Sequence, residues 1–203
     1  MAYYCNPRGG VINNSSLAVV HISKDIIEKC RDFANARIGM SEALYRARGE
    51  DRTSKMIEDI VVGCSAEFAV QQYMKEQGYE CTEPDLSLHQ NGQKSFSADL
   101  QSQGKFLHVK AQTLDSAQKY GTSWIFQAED TTLTLPSENG FCFFCVVEPG
   151  TETYKVDIKA AVYIIDILEA EAISKPKVGK YAIFKKAIYL TDLENKKVNT
   201  RRF

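Results

Sequence analysis

The sequence predicts an α/β domain in which helices flank a mixed central β-sheet. Three segments support this fold class. The segment from 53 to 78 carries apolar residues at helical spacing, residues 95–112 alternate between apolar and polar, and residues 141–147 are continuously apolar. An amphipathic helix, a hairpin and a fully buried strand in that order are typical of a sheet covered by helices.

The remaining elements follow in order along the chain. Ser23 is a suitable N-cap for a helix from about Lys24 to Arg37, and Thr53 can cap the long helix that ends near Gly78. Further strands are predicted at 123–127, 154–158 and 186–190, and the last is expected at a sheet edge. The apolar segment 160–172 is compatible with a helix, or with a strand that gives way to a helix.

Length and composition are those of one ordinary globular domain. The 203 residues suffice for a single core, with residues 1–50 as an N-terminal helical extension, 53–147 as the central part and 148–203 completing the domain. A formal net charge of −1 argues against an indiscriminate polyanion binder. Six cysteines without paired metal spacing and the lack of a long apolar run predict a cytoplasmic protein without a membrane segment.

The segment Ser95–Gln112 contains the most informative polar residues. A turn at Ser102 and Gln103 would place Leu100 opposite Lys105 and Asp99 opposite Phe106. Because side chains alternate along strands, this pairing places one carboxylate on the same face as His108, Lys110 and Gln112. The hairpin therefore predicts a polar face that has the residue types of a catalytic site.

These residues and an upstream helical motif carry a family resemblance. The helical motif is Gly63-Cys-Ser-Ala-Glu-Phe-Ala69, and the second hairpin strand reads His108-Val-Lys-Ala-Gln112. Together with the Asp on the first hairpin strand, they resemble the PD-(D/E)XK nuclease superfamily over roughly residues 53 to 147. The resemblance implies a restriction-endonuclease-like fold and a metal-dependent endonuclease that hydrolyses DNA.

The resemblance also implies roles for individual residues. Asp99 would be the main Mg²⁺ ligand and Glu67 a second carboxylate from the helix, while Lys110 would orient the attacking water. Gln112 matches a Lys-x-Gln extension that occurs in some members, and no small-molecule cofactor is implied. Phosphodiester hydrolysis independently requires a metal, a positioned water and a nearby cation, which are the functions that these residue types can provide.

His108 departs from the family pattern, which has an acidic residue at this position. Imidazole is a poor ligand for Mg²⁺, which prefers oxygen. Three interpretations remain open: Glu67 supplies the missing carboxylate, His108 acts as a general base or selects a softer metal such as Mn²⁺, or the site is inactive. An inactive nucleic-acid-binding or protein-interaction module is therefore the alternative function.

Simpler interpretations exist for the same residues. Asp99 and Lys110 can form an ordinary cross-strand ion pair, and Glu67 can be an exposed surface residue. The Pro84-Asp85 pair is a second candidate for the metal-binding Asp, although it lies farther from Lys110 in the chain than Asp99 does.

Two polar segments are candidates for DNA contacts. The first is the basic run before and at the start of the long helix, and the second follows the hairpin and combines a cation, an aromatic ring and a hydroxyl. The residues are Arg46, Arg48, Arg52 and Lys55 in the first segment and Lys119, Tyr120 and Ser123 in the second. A homodimer is expected, because cutting both strands of a duplex usually requires two sites.

Overall fold

The structure is a computed structural model, which describes residues 16–47, 53–88, 98–177, 185–196 and 198. Its helices are α1 (Lys24–Ala47), α2 (Thr53–Glu76), α3 (Leu114–Tyr120), α4 (Thr131–Thr134), α5 (Ile164–Glu169) and α6 (Leu190–Asn195). Its strands are β1 (Ala18–Ser23), β2 (Leu100–Ser102), β3 (Lys105–Thr113), β4 (Ser123–Gln127), β5 (Gly140–Glu148), β6 (Thr153–Tyr163) and β7 (Lys185–Tyr189).

A mixed five-stranded sheet, in the order β1-β6-β5-β3-β2, forms the centre of the fold. Strands β3 and β5 are parallel, and the other neighbours in this sheet are antiparallel. The predicted α/β class, with helices flanking a mixed sheet, is confirmed. Strands β4 and β7 form a separate antiparallel pair, and β1 adds an edge strand ahead of α1.

Two apolar clusters cover the two faces of the sheet. One joins α1 and α2 to the sheet through residues such as Cys30, Val61 and Phe143. The other packs the β4–β7 pair and the short helices against Cys142, Phe144 and Val146. Since β5 contributes to both clusters and its residues 140–147 are buried, the prediction of a central strand at 141–147 is confirmed.

The cysteines of β5 belong to this core. Cys142 and Cys145 are fully buried, and burial raises the pKa of both thiols, which therefore stay protonated. No helix among the described residues is both long enough and apolar enough to cross a membrane.

The β2–β3 hairpin differs from its prediction in register. Leu100 pairs with Leu107, two residues beyond the predicted partner, because the turn is formed by Gln103 and Gly104. Both turn residues have positive φ, at 48° and 74°, as two-residue hairpin turns of this kind require. A shift of two residues leaves every side chain on its predicted face. Residues 95–97 of the predicted first strand lie outside the described residues.

Candidate active site

The site begins where β2 ends alongside β3. Strand β2 pairs with β3 only from Lys105 to Leu107, and continuing this register places Asp99 opposite His108. The Asp99 Oδ2 atom accepts a hydrogen bond of 2.7 Å from the backbone N–H of Val109. A side-chain carboxylate thus takes the place of the next ladder bond, so that Asp99 is fixed at the edge of the sheet.

Three polar residues of β3 share one face, as predicted. His108, Lys110 and Gln112 are paired with Cys142, Phe144 and Val146 of β5, which belong to the second apolar cluster. In a parallel pair such partners lie on the same face of the sheet. These three side chains therefore point toward α4 and the β4–β7 pair.

Gln112 connects β3 to the start of β4. Its Nε2 donates to the carbonyl of Gly121 at 3.2 Å, and its Oε1 accepts from the backbone N–H of Ser123 at 2.9 Å. The Ser123 side chain is itself buried and donates to the same Gly121 carbonyl. Gln112 therefore holds the start of β4 against β3. Because Ser123 is buried, its hydroxyl is not on the surface, where the predicted DNA contact would require it.

Lys110 is held by two groups that follow it in the chain. Its Nζ lies 3.2 Å from the Asp130 Oδ2 and 4.5 Å from the centroid of the Phe126 ring. The side chains of Lys110 and Asp130 are only 26% and 17% exposed. The ion-pair partner of Lys110 is thus Asp130, and the simpler interpretation of a cross-strand pair with Asp99 is wrong.

Asp130 is the N-cap of α4, and no motif in the sequence indicates its role. Its Oδ1 accepts a 3.0 Å hydrogen bond from the backbone N–H of Thr132. Burial alone would raise the pKa of Asp130, but the Lys110 ammonium and hydrogen bonds from Lys110 and Thr132 outweigh burial and hold it below its usual value. Asp130 is therefore ionised at neutral pH.

His108 lies near Thr132 and is predominantly neutral. Its Nδ1 is 3.5 Å from the Thr132 Oγ1, at the outer limit of a hydrogen bond. Burial lowers the pKa of His108, and the nearby Asp99 carboxylate only partly opposes this effect. A neutral imidazole has one ring nitrogen that can accept a proton.

Glu67 approaches the sheet from the opposite face, because α2 packs on the first apolar cluster. Its side chain is partly buried, so the interpretation as an exposed surface residue is wrong. Burial, followed by the negative charge of Asp99, raises the pKa of Glu67 well above its usual value, while Arg37 of α1 partly compensates. Asp99 therefore interacts electrostatically with groups on both faces of the sheet.

Asp85, the second candidate for a metal-binding Asp, acts electrostatically on Glu67. Its charge also raises the pKa of Glu67, which places it in the same acidic group. One of its oxygens, Oδ1, accepts from the backbone N–H of Ser87 at 2.9 Å. Arg37 is the cation of this group, and no sequence motif indicated it.

The predicted DNA-contact residues have varied surroundings. Arg46 lies in the last turns of α1, and Arg48 and Arg52 lie outside the described residues. The exposed Lys55 is 2.9 Å from Asp59 one helical turn away. Lys119 lies 5.1 Å from the ring centroid of Tyr120, which is 44% exposed at the end of α3.

The carboxylates of this site have the donor chemistry that Mg²⁺ prefers. In the described part of the chain, no three His, Cys, Asp or Glu side chains are gathered closely enough to form a complete metal-binding group. Mg²⁺ does not require one, since it is commonly held by one or two carboxylates together with waters and substrate phosphates. The mutual repulsion of Asp99 and Glu67 is also the situation that a divalent cation relieves.

Comparisons with known proteins give no family assignment. No family model, curated protein or solved structure matches this chain significantly.

The raised pKa of Glu67 leads to a prediction about stability. Glu67 binds a proton more tightly in the native than in the unfolded chain, so the free energy of unfolding falls as pH rises from the ordinary carboxyl pKa through the raised one. Glu67→Gln removes this fall. We expect it to stabilise the protein near pH 8 by at least roughly 1 kcal/mol, the equivalent of one pKa unit, with the gain vanishing near pH 4.

Urea unfolding across this pH range measures the effect. Glu76→Gln is the matched control, because Glu76 is exposed on the same helix. It should change the free energy of unfolding by less than about 0.5 kcal/mol. Parallel pH profiles for Glu67→Gln and wild type would contradict the described environment of Glu67.

Proposed function

We propose that this protein is a metal-dependent deoxyribonuclease, most simply an endonuclease, with a restriction-endonuclease-like fold. One observation carries the proposal: where β2 ends alongside β3, the Asp99 carboxylate and the Lys110 ammonium both act electrostatically on His108. A fixed carboxylate, a neutral base and a half-buried cation are groups that can promote phosphodiester hydrolysis.

The chain topology supports the same proposal. Helix α2 precedes the β2–β3 hairpin, and the chain then crosses over through α3, β4 and α4 to β5, which runs parallel to β3. The resemblance to the PD-(D/E)XK superfamily leads us to expect a helix, a hairpin and a buried strand in this order. Strand residues also hold the direction of their side chains well, as a catalytic site needs.

Asp99 and Glu67 are the residues that would hold Mg²⁺, with Mn²⁺ as a possible substitute. When bound, the cation would neutralise charge on the scissile phosphate. One carboxylate oxygen of Asp99 accepts a hydrogen bond from the N–H of Val109, and this bond limits the movement of the Asp99 side chain. Burial and the charge of Asp99 raise the pKa of Glu67, so its carboxyl group would bring the second negative charge from α2 on giving up its proton as the cation binds.

Lys110 supplies a cation, and its side chain is already held in one orientation by Asp130 and Phe126. An ammonium group has three N–H donors, and the structure gives one of them to Asp130. The others are available for a phosphate oxygen or for the attacking water. Because the ion pair is mostly shielded from solvent, the Lys110 charge acts on the phosphate more strongly than an exposed lysine would.

His108 can accept the proton of the attacking water. Its lowered pKa keeps the imidazole predominantly neutral at pH 7, which is the form that a general base requires. In this proposal His108 stands at the position of the acidic residue in the family pattern but acts as a general base and not as a metal ligand. The proposed substrate is DNA, bound by a homodimer so that both strands of a duplex can be cut.

The alternative is an inactive nucleic-acid-binding or protein-interaction module. The specific observation in its favour is again His108, because imidazole is a poor Mg²⁺ ligand at a position where the family has a carboxylate. A module of this kind would bind DNA through the same surface without cutting it.

Parallel binding and cleavage assays separate the two functions. Wild-type protein is incubated with supercoiled plasmid and with single-stranded DNA in Mg²⁺, in Mn²⁺ and in EDTA, and binding is measured by gel mobility in EDTA. Cleavage that requires a metal is the expected result. Salt-sensitive binding without cleavage in either metal would favour the inactive module.

A further inference from the structure

We propose that Asp130 is a positioning residue that holds Lys110 for catalysis. This inference rests on the proposed function and assigns it a further residue. Strand β3 contains no acidic residue, so the carboxylate beside Lys110 must come from another element. Asp130 supplies it from the N-terminus of α4, twenty residues later in the chain.

Asp130 is itself rigidly fixed. Its Oδ1 caps α4 through the N–H of Thr132, and its backbone carbonyl accepts from the N–H groups of Leu133 and Thr134 at 2.9 and 3.0 Å. The second carboxylate oxygen, Oδ2, is left for Lys110 at 3.2 Å. The carboxylate thus cannot turn away from Lys110 without losing the cap of the helix.

The ring of Phe126 restricts the movement of the Lys110 ammonium from a second side. The ring centroid is 4.5 Å from Nζ, within the range of a cation–π contact. Phe126 lies on β4, whereas Asp130 lies on the loop that follows it, so two parts of one connection hold the same ammonium. A lysine that is held in this way has already lost the rotamer freedom that otherwise opposes precise placement.

The same short helix also reaches His108. Thr132, whose N–H is capped by Asp130, has its hydroxyl oxygen 3.5 Å from the His108 Nδ1. Asp130 and Thr132 therefore place the two polar residues of the His-Val-Lys motif relative to each other.

Solvent exposure distinguishes this pair from the surface ion pairs. Lys110 and Asp130 are 26% and 17% exposed, whereas Lys24 and Glu152 are 53% and 71% exposed. Exposed pairs are weakened by screening and by side-chain mobility. The Lys110–Asp130 pair is shielded enough to fix a geometry, yet still open enough to reach a substrate.

Asp130→Asn is the most informative variant, because asparagine keeps the size and the helix cap but removes the charge. We expect kcat for DNA cleavage to fall roughly 10- to 100-fold, as for a displaced catalytic group, with KM nearly unchanged. In a Lys110→Ala background the same change should cause no further loss, because Asp130 acts through Lys110. Thr113→Ala, which removes the cap of α3 instead, should leave kcat unchanged.

A second readout needs no activity. Mass spectrometry after brief acetylation with acetic anhydride reports how freely each lysine amine reacts. Asp130→Asn should increase acetylation of Lys110 several-fold and leave Lys105 unchanged. Equal acetylation of Lys110 in variant and wild type would overturn the inference, as would rate losses that multiply in the Lys110→Ala background. Wild type that cuts no DNA would instead contradict the proposed function.

Discussion

Lys110→Ala is expected to lower kcat for DNA cleavage by about 10²- to 10³-fold, the usual effect of removing one group that stabilises transition-state charge. The Lys110 ammonium acts electrostatically on His108 on the polar face of β3, and its side chain is mostly shielded. Alanine removes the charge, and the Asp130 carboxylate that loses its cation keeps the hydrogen bond from the Thr132 N–H. Single-turnover cleavage of a short labelled duplex at saturating Mg²⁺ measures the chemical step directly.

Lys105→Ala is the matched control for this variant. Lys105 begins the same strand, and its ammonium also lies over an aromatic ring, 4.9 Å from the centroid of Tyr163. Its side chain lies on the face of β3 opposite to His108 and Lys110, so its loss should leave kcat within about twofold of wild type. Similar losses for the two variants would show that general charge, and not this site, governs cleavage.

Asp99→Asn is expected to remove both cleavage and the stabilisation of the protein by Mg²⁺. A ligand that binds only the native state raises the free energy of unfolding, by about 2.7 kcal/mol at 100 times its Kd. Asparagine can keep the hydrogen bond from the Val109 N–H, so the variant should retain the hairpin. Without Mg²⁺ it should be at least as stable as wild type, because burial and the charge of Asp99 raise the pKa of Glu67, and asparagine removes that charge.

Thermal unfolding during a Mg²⁺ titration measures this effect without any assay of activity. Asp115→Asn, an exposed carboxylate change in the first turn of α3, is the control and should respond to Mg²⁺ like wild type. If Mg²⁺ raised the Tm of Asp99→Asn as much as that of wild type, the cation would be bound elsewhere.

The sequence was sufficient for the parts of the fold that depend on local periodicity. The long helix, the buried strand β5 and the polar face of β3 follow from apolar spacing, and all three are present. The predicted pairing of β2 with β3 differs from the observed one by two residues, because Gln103 adopts a positive φ, which is uncommon for glutamine. The faces were nevertheless right, because an even shift preserves alternation.

The parts of the site that escaped prediction depend on contacts between distant segments. Asp130 meets Lys110 only because the chain returns to β3 through β4, and its four-residue helix is too short to give a periodic signal. Arg37 acts electrostatically on Glu67 because α1 packs on α2. Neither interaction follows from local spacing, whereas Asp99 and His108 are neighbours across one hairpin and could be placed together.

The most direct test of a nuclease site on β3 is cleavage of supercoiled plasmid by wild type and Lys110→Ala, purified identically, in Mg²⁺ and in EDTA. We expect nicked or linear product with wild type in Mg²⁺ only, and product formation that is at least about 100-fold slower with Lys110→Ala. No product from wild type, or equal product from both proteins, would contradict a nuclease site on β3.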